Sequence, residues 1–136
     1  MIKWAGRLLV LIGGGHMASS LALTATQHAG TWFRGGVYGE HLSEMSHANG
    51  AFWVSVGSFG IPQIVLGATV LWMDRKAITP PAFIGWTMGA WSVLGAIIFE
   101  PAPWPVTTLA GALLVLGGHR AARREATAGV AAAIAS

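Results

Sequence analysis

The sequence predicts an all-α polytopic membrane protein, an antiparallel bundle of four transmembrane helices with a short interfacial helix in the first outer loop. Three observations carry that prediction. Of 136 residues, 54% are hydrophobic and only 10% are charged, against about a quarter charged in soluble domains. The apolar residues gather into four stretches, at about 4–25, 50–73, 82–99 and 104–122, each near the roughly 20 residues that cross a hydrocarbon core. Finally, the later connections are short, which makes consecutive helices antiparallel neighbours.

The first stretch follows Lys3 and Arg7 and runs through "LLVLIGGGHMASS". A basic start before an apolar run is also the mark of a signal peptide, but no clean A-x-A site follows and the glycine-, serine- and histidine-containing centre is polar for a signal core. The expectation is therefore a retained helix. Residues 26–49 form a long outer connection containing "TWFRGGVYGEHLSEMSH". The second stretch opens after Asn49-Gly50, carries Pro62 and closes at "DRKAITPP", while "EPAPWP" separates the third from the fourth. The fourth is the shortest: Trp104 to Gly118 is fifteen residues, or about 22 Å of helix, and it spans if Arg120 snorkels. Residues 1–122 read as one transmembrane domain and the alanine-rich residues 123–136 as a disordered cytoplasmic tail.

Charge sets the orientation. Lys3, Arg7, Arg75, Lys76, Arg120, Arg123 and Arg124 fall on one side of a four-span protein and Arg34 alone on the other. Basic loops are retained inside, so both termini are expected in the cytoplasm. The formal charge of +3 then reflects topology, and nucleic acid is not an expected partner. With no cysteine, disulfides and thiol chemistry are excluded.

Helices associate in lipid by close approach of small residues, which Gly85-x-x-x-Gly89, Gly15-x-x-x-Ser19, Ala18-x-x-x-Ala22 and Ala51-x-x-x-Ser55 would supply. The first of these is also a candidate homodimer seam. Trp4, Trp72, Trp53 and Trp104 are expected at the interfaces, where amphipathic rings prefer to sit. Trp91 falls near mid-span, as bundle filling or pocket wall.

His16 falls close to the midplane, where an ionisable group is by default a functional hypothesis. Gln63, just after Pro62, is its expected hydrogen-bond partner, and Ser20 shares the His16 helix face. Glu100 ends the third span as a second candidate acid or base. On a helix, Glu40, Glu44 and His47 stand at i, i+4 and i+7 with His41 beside them. The Glu44-x-x-His47 spacing occurs in di-metal bundles, but those use two such motifs. One copy argues for a wet outer rim with no metal, and without a second imidazole at the depth of His16 there is no haem site. No cofactor is expected.

The segments "KWAGRLLVLIGGGH", "FWVSVGSFGIPQIVLG", "PPAFIGW" and "FEPAPWP" together resemble a family of small bacterial four-helix integral membrane proteins of unknown function, over roughly residues 3–118. The resemblance implies the four-span fold and no activity. A looser likeness in size and helix count links the chain to DoxX-like proteins at the level of fold.

The functional expectation is a pocket for an apolar, lipid- or isoprenoid-like molecule lined by His16, Ser20, Gln63 and Trp91. If the protein is an enzyme, His16 or Glu100 would move a proton in an isomerisation or cyclisation. The rival expectations are a non-catalytic accessory subunit of a larger membrane complex and a small dimeric transporter. Membrane lipids are expected partners in every case.

Overall fold

The computed structural model describes residues 1–98 and 103–135. Those residues form five α-helices: α1 (Ile2–Phe33), α2 (His47–Val54), α3 (Gly60–Arg75), α4 (Ala82–Ile98) and α5 (Trp104–Ala135). A short 3-10 helix, Leu42–Glu44, lies between α1 and α2, and no strand occurs among the described residues. The all-α expectation therefore stands. By length and composition, α1 is the one described helix able to cross a membrane, and α4 is apolar but shorter, at 17 residues.

The helix boundaries differ from the apolar stretches for local reasons. α1 runs on to Phe33 because Thr26, Gln27 and His28 offer nothing that stops a helix. It ends at Gly35, whose φ of 75° supports a Schellman cap: Gly36 N–H donates to the Thr31 carbonyl at 2.9 Å and Gly35 N–H to Trp32 at 3.3 Å. The expected second span is two helices. α2 stops at Ser55, whose backbone leaves the helical region (φ −105°, ψ −92°), and whose hydroxyl donates back to the Ala51 carbonyl at 2.6 Å. Pro62 then sits in the first turn of α3, the part of a helix that tolerates proline. Residues 55–59 between them are turn and bend.

The interfacial helix is also corrected. Glu40, Glu44 and His47 share no helix face, because Gly39 takes a φ of 77° and only residues 42–44 form a 3-10 turn before α2 begins at His47. At the other end, the expected disordered tail continues α5 through Ala135, as alanine's helix propensity favours.

The chain divides into two compact units, residues 1–10 with 66–136, and residues 11–65. In the first, a core of Ala5, Leu9, Val70, Ala110 and Leu114 joins the start of α1, the end of α3 and α5. Glycines bring the backbones together: a Cβ on Gly67 would lie 2.8 Å from the Gly6 carbonyl oxygen, and one on Gly111 would lie 2.9 Å from the Gly85 carbonyl oxygen. Gly85 thus packs within the chain, between α4 and α5, whereas a Cβ on Gly89 would meet nothing within 4 Å. Trp104, expected at an interface, is instead buried, packing on Gly95. The α3–α4 turn closes on another Schellman cap, with Ala77 at φ 55° in the left-handed position and Ile78 N–H donating to Met73 at 2.9 Å.

In the second unit, Gly13 and Gly60 form the crossing of α1 with α3. A Cβ on Gly13 would lie 2.7 Å from the Gly60 carbonyl oxygen, and one on Gly60 would strike Met17. Trp32 near the end of α1 donates its ring N–H to the Ala48 carbonyl at 2.7 Å, tying α1 to α2.

Candidate functional site at a helix break

The end of an α-helix leaves its last carbonyls without helical partners. His16 uses one of them. Its Nε2 lies 3.0 Å from the Val54 carbonyl oxygen, and since a carbonyl only accepts, Nε2 carries the hydrogen. In the neutral ring that leaves Nδ1 as an acceptor. The imidazole also stacks on Phe59, with ring centroids 4.3 Å apart. The expected His16–Gln63 hydrogen bond is therefore not made: the break in the second span provides a backbone acceptor that a continuous helix would have consumed.

Gln63 is 3% exposed, and neither its Nε2 nor its Oε1 has a hydrogen-bond partner. Its backbone N–H is satisfied by the Phe59 carbonyl at 2.9 Å. Phe59 thus touches both residues, with its ring against His16 and its carbonyl on the Gln63 backbone. Among the described residues, Gln63 holds the only buried side-chain N and O atoms left unpaired. Leaving such an amide unpaired costs about 1–3 kcal/mol.

Around these two residues the other polar groups are satisfied. Ser20 is buried and donates to the His16 carbonyl at 2.7 Å, reinforcing α1. Ser58 Oγ accepts from Gly60 N–H at 3.2 Å, capping the start of α3. His16, Ser20 and Gln63 belong to one unit. Trp91 belongs to the other, where its ring meets Trp104 edge-on at 5.0 Å. Glu100 lies outside the described residues.

The outer-loop residues do different work from the expected rim. Glu40 closes the start of α2: its carboxylate accepts from Ser46 N–H at 2.9 Å, Ser46 Oγ at 2.7 Å and Asn49 Nδ2 at 3.0 Å. The Ser46 backbone bond, then the Ser46 hydroxyl and the Asn49 amide, hold its carboxyl below the usual carboxylate value. His41, Glu44 and His47 are exposed. Among the described residues no group of three or more His, Asp or Glu is placed to hold a metal ion. Sequence reasoning missed the cap, although Ser46 followed three residues later by Asn49 carries the N-cap signal.

A helical protein with one span-length apolar helix and a polar site at a helix break is the class defined by these features. The chain belongs to a family of unknown function (DUF6463), which matches residues 1–122. No curated protein and no solved structure matches it.

Proposed function

We propose that the chain is a small multi-pass protein of the bacterial inner membrane, with both termini cytoplasmic, that holds a lipid- or isoprenoid-like molecule at the break between α2 and α3. The membrane reading is supported by the large apolar side chains left exposed along the helices, among them Leu11, Leu23, Trp86 and Ile97. Such surfaces need a cover other than water. All the basic residues but Arg34 gather in segments that a four-span path would put on one side.

The single observation that carries the ligand site is Gln63. A buried amide with both atoms unpaired is a cost that close-packed interiors avoid, and it stands beside an ionisable residue and a broken helix. Broken helices within membranes form binding sites because irregular backbone is tolerated there only in protein or around a cavity. His16, held through Nε2, offers Nδ1 to a ligand, the placement a proton-transferring isomerase or cyclase needs. A second reading, an accessory subunit of a larger complex, is favoured by a separate observation: α4 and α5 leave an exposed, almost wholly apolar groove of about 730 Å³ beside Gly89 and Ala112.

Purification in mild detergent followed by native mass spectrometry tests both readings. A retained lipid-like mass supports the ligand site, and co-purifying subunits without one support the accessory role. For His16, thermal stability and a cellular phenotype are compared in wild type, His16→Gln and His16→Leu. If His16 handles protons, both variants fold and both lose function. A functional Gln variant beside an unstable Leu variant reduces it to packing.

A further inference from the structure

Gln63 is the fourth residue of α3. Side chains in a helix lean back toward its N-terminus, so the Gln63 amide leans toward the break at 55–59. The N-terminal end of α3 carries partial positive charge from its unpaired N–H groups. Pro62, the third residue of the helix, has no N–H, Gly60 N–H is capped by Ser58, and the buried side-chain demand at this end is the Gln63 amide. That amide is 3% exposed with both atoms unpaired. Its Oε1 accepts and its Nε2 donates, side by side in one plane.

Building on the ligand site proposed above, we infer that the ligand is a long-chain amphiphile whose polar end is a carboxylic acid in its neutral form, paired with Gln63 through both amide atoms. A group that satisfies Oε1 and Nε2 together must offer a donor and an acceptor on adjacent atoms of one plane. A carboxylic acid does so: its O–H donates to Oε1 and its C=O accepts from Nε2. An ester or ketone answers Nε2 alone. A carboxylate also answers Nε2 alone, and it sets a negative oxygen against the Oε1 lone pairs. Burial disfavours the ionised form further. The positive end of α3 pulls the other way, but it amounts to about half a charge, and Oε1 has a use only for the neutral acid. The chain of the amphiphile has somewhere to lie, because Val54 and Ile61, flanking the break, are 58% and 46% exposed.

A primary amide on the same chain presents the same donor–acceptor pair, so the test separates the two. Full-length protein in non-ionic detergent is titrated with palmitic acid, palmitamide or methyl palmitate, and affinity is read from thermal stabilisation. Palmitic acid is expected to bind roughly tenfold or more tightly than its methyl ester, and that preference is expected to vanish in Gln63→Met while the variant stays folded. Acid and ester binding alike to wild type would overturn the acid pairing and leave the ligand site standing. Palmitamide binding without palmitic acid would overturn the assignment to an acid, and a preference that survives in Gln63→Met would overturn the role of Gln63. Failure of all three to bind, with no lipid-like mass retained on purification, would overturn the ligand site itself.

Discussion

The two units of the chain solve the problem of burying polar groups in opposite ways. In residues 1–10 and 66–136, helices approach through glycine, and the buried hydroxyl of Ser92 pairs with Thr108 at 2.8 Å and with the Gly89 carbonyl at 2.9 Å. In residues 11–65 a helix is broken, a histidine takes up a freed carbonyl, and a buried amide is left with nothing. The first arrangement is what close packing selects. The second violates the usual satisfaction of buried polar groups, and local rules tend to fail where function requires it. Glycine crossings occur in both units, since Gly13 meets Gly60 in the second; the difference is that only beside the helix break is a buried side-chain amide left unpaired among the described residues, which is why the proposed binding site is put there.

The largest expected effect breaks the packed side of the contrast. In Gly111→Leu the first added carbon already meets the Gly85 carbonyl oxygen and the Gly89 nitrogen at 2.9 Å. Because both are backbone, the helices must move apart, and the variant is expected to lose about 3 kcal/mol, read as a lower Tm in detergent. An unchanged Tm would mean that α4 and α5 do not meet there.

The next sharpens the other side. Gln63→Met removes an unpaired buried amide at similar volume, so the variant without ligand is expected to gain about 1–3 kcal/mol. A loss of stability would mean that the amide has a partner after all. The two substitutions thus move in opposite directions although both alter a buried position.

These two sites also mark what was legible in the sequence. Glycine seams were, in kind: Gly85-x-x-x-Gly89 pointed to close approach, and the backbones of both glycines lie against Gly111 of α5, although a Cβ on Gly89 would point into open space. His16 and Gln63 stood out as polar residues in apolar stretches. Their relation did not, because Ser55, Gly57 and Ser58 are all tolerated within membrane helices and an apolar run across 50–73 conceals a break among them. Depth matching then paired two side chains, where the freed Val54 carbonyl was the better acceptor. At the outer loop, helical spacing grouped Glu40 with Glu44 and His47, but the positive φ at Gly39 made that spacing irrelevant and turned Glu40 into a cap. The 32-residue length of α1 was missed because apolarity ends well before the first helix-stopping glycine.

Smaller effects refine the comparison. Gly89→Ala should gain about 0.5–1 kcal/mol, since the added methyl meets nothing and alanine favours the helix interior. A loss would indicate that another surface covers this face in the membrane. Smallest is the pH dependence of the α2 cap. The folded carboxyl of Glu40 is lowered, so its stabilisation is present above the ordinary carboxylate value and is lost as pH falls through the lowered one. Amide exchange at Ser46 and Asn49 should therefore quicken on acidification, and in Glu40→Gln it should be fast at neutral pH already. Protection that grows on acidification would contradict the cap.

The central claim is that the unpaired amide at the helix break is retained for a ligand. Native mass spectrometry of wild type and Gln63→Met, purified side by side in the same mild detergent, measures it. Wild type is expected to carry the added mass of a lipid-like molecule that the variant lacks while remaining at least as stable. The same added mass on both, or none on either, would contradict it.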